Sequence, residues 1–254
     1  MKVTILGCGT STGVPKIGND WGLCDSTEPR NARLRTSLMV ESAGERMLVD
    51  CGPDLRQQLL AANVSHLDGV IVTHVHGDHC HGIDELRPVS QAIGGPVPLH
   101  ARGDVIDELK LRFGYAFDAT NFYRPLCEAR ELGEELAFGD ARISSVDQPH
   151  GSLTSLGLRF HEGNRSVGYA IDFNRLSDDM IALYQSVDVW IADCLTRRPH
   201  PTHMHLDGVL AAARDLRVGQ LYLVHMGNGL DYRTLIAELP DWAAPAFDGL
   251  EIAL

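Results

Sequence analysis

Short runs of apolar residues, bounded by glycine or polar residues, recur along the chain and predict β-strands. Valine, isoleucine and leucine dominate these runs, as is typical of buried strands. The predicted strands are 3–6, 37–41, 47–50, 69–73, 143–146, 167–172, 187–193 and 220–225. Several of these runs end in aspartate or histidine, which places side chains that can bind metal ions at the ends of strands.

Helical patterns lie between some of these strands. The predicted helices are 54–62, 81–93, 104–112, 177–185, 206–216 and 232–238. Pro53 precedes the first helix, and Ser177 is suited to cap the fourth. Because strands come in groups and helices lie between the groups, the pattern favours an α/β sandwich with two sheets inside and helices outside.

One aromatic segment, 114–130, fits neither pattern and is predicted to be irregular. Two interpretations stay open for it: a lid over a binding pocket, or an ordinary packed loop. Elsewhere no internal repeat, low-complexity segment or Pro/Ser-rich linker divides the chain. We therefore expect a single domain that spans residues 1–254.

Charge and composition narrow the classes of partner. The chain has 22 Lys and Arg against 34 Asp and Glu, a formal net charge of −12. Long DNA or RNA is therefore an unfavourable partner, because nucleic acids are bound largely by basic side chains. No apolar stretch approaches the roughly 20 residues that cross a bilayer. The first residues lack the apolar core of a secretory signal, so we expect a cytoplasmic protein.

The segment Thr73-His74-Val75-His76-Gly77-Asp78-His79 concentrates metal-binding side chains at the end of a predicted strand. Gly77 permits a sharp turn, so the side chains on both sides of it can point into the same space. Imidazole suits zinc and other first-row metals, and carboxylate also suits manganese. A lone histidine is usually a surface or hydrogen-bonded residue, whereas this cluster indicates a metal site.

A site for two metal ions needs more ligands than one loop supplies. His150, Asp172 and His225 each follow a predicted strand elsewhere in the chain. Taken singly, Asp172 is also compatible with a turn, and His225 with a side chain that packs against the side of a helix. Together with the first cluster they favour metal binding.

Seven candidate ligands resemble, in order and spacing, the metal motifs of the metallo-β-lactamase superfamily. They are His74, His76, Asp78, His79, His150, Asp172 and His225. Other motifs extend the resemblance over nearly the whole chain: Gly7-Cys8-Gly9-Thr10-Ser11-Thr12-Gly13-Val14-Pro15, Arg35-Thr36-Ser37, Leu48-Val49-Asp50-Cys51-Gly52-Pro53-Asp54 and Arg198-Pro199-His200-Pro201-Thr202-His203. They resemble the branch that contains phosphoribosyl cyclic phosphate phosphodiesterase, a relative of the tRNA 3′-processing endonucleases. The resemblance implies a four-layered αββα sandwich and two divalent metal ions, zinc or manganese.

The resemblance also implies a role for each residue. One metal ion would be held by His74, His76 and His150, a second by Asp78, His79 and His225, with Asp172 bridging both. Asp50 would orient a ligating histidine or its loop, as ligand imidazoles generally require. The implied activity is hydrolysis of a small cyclic or nucleotide-like phosphodiester by a hydroxide that bridges the metal ions.

The leaving group takes up a proton, and the residue expected to donate it is not one of the seven metal ligands. By resemblance, His203 serves as general acid or oxyanion stabiliser and, with Asp78, forms the predicted catalytic pair. His200 and His203 are predicted to contact the substrate, and Asp193 is predicted to orient His203. His205 suits the start of a helix better than catalysis.

The chain departs from the branch at one place. Its relatives hold a structural zinc ion in a cysteine cluster after the first glycine-rich segment, and here only Cys24 remains in 17–25. We expect that zinc ion to be absent. Because this loop differs from that of the relatives, the identity of their substrate is not assigned to this chain. The alternatives are a thioester or lactone hydrolase, a tRNA-processing nuclease and a non-catalytic metal-binding protein. A homodimer is common among the relatives.

Overall fold

The computed structural model describes residues 1–119 and 124–254. Its first sheet has seven strands in the order β14-β1-β2-β3-β4-β5-β6. These strands are β1 (Lys2–Gly7), β2 (Ser37–Ser42), β3 (Glu45–Val49), β4 (Gly69–Ile71), β5 (Val97–Ala101), β6 (Cys127–Glu131) and β14 (Leu250–Ala253). The strands from β3 to β6 run parallel to one another.

The second sheet also has seven strands, in the order β13-β12-β11-β10-β9-β8-β7. They are β7 (Glu135–Phe138), β8 (Ala141–His150), β9 (Leu153–Glu162), β10 (Arg165–Ala170), β11 (Val189–Asp193), β12 (Gln220–Val224) and β13 (Ala243–Pro245). The strands from β10 to β13 are parallel. Because β9 is antiparallel to both β8 and β10, β8 runs in the same direction as these strands.

Helices cover the outer faces of both sheets. They are α1 (Leu55–Ala61), α2 (Gly77–Cys80), α3 (Leu86–Ile93), α4 (Gly103–Phe117), α5 (Asp178–Tyr184), α6 (Leu206–Leu216) and α7 (Tyr232–Glu238), with short 3₁₀ turns at Pro29–Asn31 and Ile83–Glu85. None of these helices, in the part of the chain that is described, is long and apolar enough to cross a bilayer.

Two apolar clusters hold the layers together. One lies between the sheets, where Val3 and Val40 of the first sheet join Phe160 and Ile191 of the second, and it extends to the helices beyond the second sheet. The other packs the outer face of the first sheet against α1, α3 and α4. Alternate residues of β1 enter different clusters, as the two-residue period of a strand requires. The expected αββα sandwich is confirmed.

The sequence pattern missed six strands: β5, β6, β7, β9, β13 and β14. Their own residues carry weak strand signals, since β6 is largely charged, β5 contains Pro98, and β9 contains Gly157. Each forms because a neighbouring strand satisfies its backbone groups. The predicted helix 81–93 is also shorter, because 83–85 is a 3₁₀ turn and the α-helix begins at Leu86.

The prediction that 114–130 is irregular is wrong at both ends of the segment. Helix α4 continues to Phe117, with non-helical backbone angles at Phe113, and β6 occupies Cys127–Glu131. Tyr115 donates a hydrogen bond to Asp84 from the end of this helix. Phe122 lies outside the described residues, as does Tyr123, and the choice between a lid and a packed loop stays open.

Candidate metal centre

The predicted site residues meet at one edge of the sandwich, where parallel strands of both sheets end. Asp50 follows β3, His74 follows β4, and His150 is the last residue of β8. Asp172 follows β10 and His225 follows β12. Because the carboxyl ends of parallel strands lie together, side chains that are distant in sequence become neighbours.

Three of these residues adopt backbone angles that are uncommon for residues other than glycine. The φ angle is +64° at Asp50, +52° at Asp172 and +57° at His225. This left-handed conformation is costly for a residue with a Cβ, and it concentrates at functional sites. Here it turns the chain at the point where each strand ends and directs the side chain into the site.

A first set of four donor atoms comes from His74, His76, His150 and Asp172. His74 Nε2 lies 3.0 Å from His76 Nδ1 and 3.4 Å from Asp172 Oδ2. His150 Nε2 lies 3.3 Å from His76 Nδ1 and 3.3 Å from Asp172 Oδ2. All four atoms therefore surround one small space.

A second set comes from Asp78, His79 and His225, which share the other oxygen of Asp172. His79 Nε2 lies 3.2 Å from Asp78 Oδ2 and 3.6 Å from Asp172 Oδ1. His225 Nε2 lies 3.5 Å from Asp78 Oδ2 and 3.3 Å from Asp172 Oδ1. The carboxylate of Asp172 thus presents one oxygen to each set.

The spacing and the unsatisfied atoms both fit metal ions. Four ligands at about 2.1 Å from a tetrahedral ion lie about 3.4 Å from one another, close to the separations in both sets. His79 Nε2 and Asp172 Oδ1 are buried and make no hydrogen bond within the described part of the chain. A buried polar atom without a partner is unfavourable unless something else satisfies it, and a cation at this point would do so.

Asp50 orients two of the imidazoles from behind. It is fully buried and accepts hydrogen bonds from His79 Nδ1 at 2.7 Å and from the backbone and hydroxyl of Thr73 at 2.8 and 3.0 Å. The hydroxyl of Thr73 in turn lies 3.0 Å from His74 Nδ1. The carboxylate of Asp50 only accepts hydrogen bonds, so Nδ1 of His79 carries a proton. The hydroxyl of Thr73 donates to Asp50 and therefore accepts from Nδ1 of His74, which carries a proton too. In both histidines Nε2 is left free to bind a metal ion.

The carboxylates and imidazoles of the site change one another's proton affinity. Burial alone would lower the pKa of His225, but Asp172 and Asp78 outweigh it and raise that pKa to about 9. Burial would also raise the pKa of Asp172, yet the imidazoles of His225 and His79 hold it well below its usual range. Without a metal ion, the site therefore concentrates negative charge that only cations or protonated imidazoles can balance.

Close packing of glycine brings the two loops of the site together. A Cβ atom at Gly52 would lie 2.0 Å from the carbonyl oxygen of Asp78, so no other residue fits there without a shift. The neighbouring Cys51 N–H donates to the carbonyl of His79 at 2.8 Å. The loop that carries Asp50 is thereby held against the helical turn that carries Asp78 and His79.

His203 lies beside the donor sets, with its ring 4.9 Å from the rings of His150 and His225. Its Nδ1 donates to Asp193 Oδ2 at 2.8 Å, and Asp193 is fully buried. The other oxygen of Asp193 lies 3.7 Å from His225 Nδ1. One carboxylate therefore faces both His203 and a residue of the second donor set, a relation that the sequence did not reveal.

Five residues of the donor sets line an open cleft of about 410 Å³: His76, Asp78, His150, Asp172 and His225. His203 lines it too, together with Ser11, Ser152, Leu153 and Thr202, none of which the sequence singled out as a site residue. His200 lies beyond this lining, with its ring 5.3 Å from that of His203, and its contact with substrate stays a prediction. His205 is the N-cap of α6 and makes no capping hydrogen bond with its side chain.

Buried polar side chains tie the loop before residue 34 to the segment after His225. Arg33 donates to the carbonyls of Gly227 and Leu230 at 3.2 and 2.6 Å. Asn31 donates to Asp231 at 2.7 Å. A guanidinium and an amide therefore connect the two segments.

Comparison with known proteins assigns the family. A model described as "Beta-lactamase superfamily domain" matches residues 45–226, more than half of the chain. The chain belongs to the beta-lactamase superfamily. The family, together with the diphosphatase and ribonuclease relatives described below, indicates a metal-dependent hydrolase, and the fold and site described above agree with that class.

Individual relatives place the chain within the superfamily. A crystal structure of a new diphosphatase from the PhnP family is 33% identical, with a TM-score of 0.90 over 99% of this chain and 96% of that one. Ribonuclease Z of Thermococcus kodakarensis is 33% identical over 144 residues, 54% of this chain and 44% of that protein. The chain therefore lies in the branch that contains the PhnP family and ribonuclease Z.

An octanoyltransferase of Porphyromonas gingivalis is 30% identical over 257 residues, which cover 99% of this chain. The match spans 51% of that protein, so the chain covers about half the length of the curated relatives that it matches first. The remaining half of the octanoyltransferase lies outside the matched region. Its name is that of the whole protein, of which this chain corresponds to about half.

Proposed function

We propose that this chain hydrolyses a small phosphodiester at a centre of two divalent metal ions. The observation that carries the proposal is the pair of donor sets that share Asp172, with His203 beside them and held by Asp193. When bound, the ions would acidify a water molecule and neutralise the phosphate oxygens. Zinc suits the imidazole-rich sets, and the carboxylates also admit manganese.

The residues of the chain divide the remaining work. In the reaction, an oxygen from water bonds to phosphorus, the bond from phosphorus to the leaving oxygen breaks, and that oxygen takes up a proton. Asp193 accepts a hydrogen bond from the Nδ1–H of His203, which leaves Nε2 as the atom that can carry a second proton. His203 would therefore donate from Nε2 to the leaving alkoxide, while Asp193 stabilises the imidazolium.

The size and charge of the site favour a small substrate over tRNA. The cleft holds about 410 Å³, and the whole chain carries a net charge of −12. A tRNA-processing enzyme needs basic surface to hold the phosphates of its substrate. The partial match to ribonuclease Z therefore supports the chemistry of the centre more than the identity of the substrate.

Hydrolysis of a diphosphate linkage is a second candidate. The PhnP-family diphosphatase that matches this chain over nearly its whole length supports it. The same donor sets would serve, because in both reactions water attacks phosphorus and an oxygen leaves.

Turnover of a panel of substrates tests these proposals. The chain is stripped of metal, reloaded with Zn²⁺ or Mn²⁺, and assayed with bis(p-nitrophenyl) phosphate, a cyclic nucleotide, a dinucleoside diphosphate, a tRNA precursor and a thioester. We expect metal-dependent turnover of the first two compounds. Turnover of the diphosphate alone would favour the second candidate, and cleavage of the tRNA precursor alone would favour a nuclease.

Two other results would contradict the proposal. Hydrolysis of the thioester with neither phosphodiester would identify the chain as a thioester hydrolase. Tight metal binding without turnover of any compound would identify a non-catalytic metal-binding protein.

A further inference from the structure

Leu153 is an exposed apolar side chain at the metal cleft. It retains 44% of its surface exposed, and among the exposed large hydrophobic residues of the described chain it is the one that lines this cleft. The rest of the lining is made of residues of the donor sets, His203, hydroxyl side chains and Gly77. An exposed leucine on such a polar surface offers a contact for an apolar group.

The position of Leu153 is determined by a metal-site residue. His150 ends β8 and Leu153 begins β9, and the two are paired across the hairpin with Gly151 and Ser152 as its turn. The φ angle of +63° at Gly151 suits such a tight turn. Leu153 therefore stands at a set distance from His150 and cannot withdraw without moving that residue.

The loop that carries His203 supports the same hairpin. His150 Nδ1 donates to the carbonyl of Thr202 at 2.8 Å. The side chain of Thr202 also packs so closely on Gly151 that a Cβ there would lie 2.7 Å from its methyl group. Two contacts with Thr202 therefore hold the hairpin that carries Leu153 in place: one is made by His150 and the other by Gly151.

Charge at the cleft restricts what can contact this wall. Among the described residues, no Lys or Arg lines the cleft, whereas Asp78 and Asp172 do. A second phosphate or carboxylate beside the reacting phosphate would meet neither a lysine nor an arginine there. An uncharged group with an apolar face is the substituent that this surface accommodates.

We propose that Leu153 determines specificity by packing against an uncharged ring, aryl or nucleobase-like, that is esterified to the reacting phosphate. The inference rests on the proposed phosphodiesterase function and specifies its substrate class. The contact exists both before and during the reaction, so it contributes to binding rather than to the rate of the chemical step.

Kinetics of Leu153→Ala in the metal-loaded full chain test the inference. The substrates are bis(p-nitrophenyl) phosphate, which has two rings, and methyl p-nitrophenyl phosphate, in which a methyl group replaces the ring that does not leave. We expect KM for the two-ring substrate to rise about tenfold with little change in kcat, as for loss of an apolar contact in a pocket. If KM of Leu153→Ala also rises with the methyl ester, the ring that contacts Leu153 is the leaving p-nitrophenyl ring.

Controls separate this effect from a structural one. Leu153→Met retains an apolar surface and should keep KM within about twofold of wild type. Ile236→Ala removes a side chain of similar exposure, 49%, on α7 outside the cleft and should leave both constants unchanged. Metal content is measured for every variant.

The outcomes distinguish the two proposals. If the wild type hydrolyses neither ester, the phosphodiesterase function fails and this inference fails with it. If the wild type hydrolyses both and KM of Leu153→Ala stays within twofold on both, the inference alone is overturned. A fall in kcat with loss of metal from Leu153→Ala and from Leu153→Met would also overturn it, since that result assigns Leu153 a structural role.

Discussion

Single carboxylates connect several parts of this site. Asp172 offers one oxygen to each donor set, Asp50 holds His79 directly and His74 through a hydroxyl, and Asp193 faces both His203 and His225. Loss of any one of these carboxylates therefore affects at least two imidazoles at once. The residues differ in what they hold, and variants can separate these roles.

His203→Ala should retain metal and lose activity according to the leaving group. Its ring belongs to neither donor set, so metal content should match wild type. The loss in kcat should be about 100-fold or more for a cyclic nucleotide, whose alkoxide needs a proton. It should be much smaller for bis(p-nitrophenyl) phosphate, because nitrophenolate leaves without one. Steady-state kinetics with both substrates check this expectation.

Two further variants serve as controls for that prediction. Asp193→Asn keeps an acceptor for His203 but removes its charge, and we expect a loss of about tenfold with the same dependence on leaving group. Asp172→Ala should instead lose metal and all activity. Wild-type turnover of the cyclic nucleotide by His203→Ala would remove His203 from the mechanism.

At the scale of elements, side chains at helix starts join distant segments. Asp231 caps α7 through the N–H of Thr234 at 2.8 Å, and it also accepts hydrogen bonds from Asn31 and from the backbone of Asp25. Ser177 caps α5 through the N–H of Met180, as its sequence position predicts. Asp231 is charged and is hydrogen-bonded to residues far away in the sequence. Ser177 is neutral and is hydrogen-bonded within its own helix start.

Asp231→Ala should lower the free energy of unfolding by about 1–2 kcal/mol at neutral pH. Burial alone would raise the pKa of Asp231, but the hydrogen bond from Thr234 and those from Asp25 and Asn31 outweigh it and lower that pKa. The stabilisation is therefore complete above the unfolded-state pKa of about 4 and is lost as pH falls below it. Denaturant unfolding of the metal-free proteins at several pH values measures the effect.

Ser177→Ala is the matched control, because its hydroxyl does not titrate in this range. We expect it to cost about 1 kcal/mol at every pH. A difference between Asp231→Ala and wild type that persists unchanged at low pH would show that the charge of Asp231 does not matter.

At the scale of the whole molecule, the core and the metal centre are separate sources of stability. The two apolar clusters contain residues of every layer, while the donor sets lie at one edge of the sandwich. That the chain forms a single domain stays a prediction from the sequence. The homodimer and the cytoplasmic location stay predictions from the sequence.

Removal of the metal ions should lower the melting temperature while the sheets remain. Free metal at a thousand times its Kd stabilises a folded protein by about 4 kcal/mol, provided that the unfolded chain does not bind it. Far-UV circular dichroism should stay nearly unchanged after chelation, because the clusters do not depend on the ions. The melting temperature of Asp172→Ala should not respond to metal, and an equal melting temperature of wild type with and without metal would contradict the prediction.

The local parts of this site were accessible from the amino-acid sequence. His74, His76, Asp78 and His79 are close in the chain, and His150, Asp172 and His225 follow strands whose apolar residues are recognisable. Ligand-type residues and strand ends are local properties, which a pattern can report. The αββα class and the seven residues brought together at one edge followed from them.

Tertiary structure alone decided how these residues share the site. The two oxygens of Asp172 face different donor sets, Asp193 reaches two imidazoles, and Leu153 stands beside His150. Six strands were also not predicted, because their hydrogen bonds come from strands distant in the sequence and their own side chains have little of the strand pattern. Strand pairing sets the register between segments far apart in the chain, so distances across the site depend on contacts that no single stretch of sequence encodes.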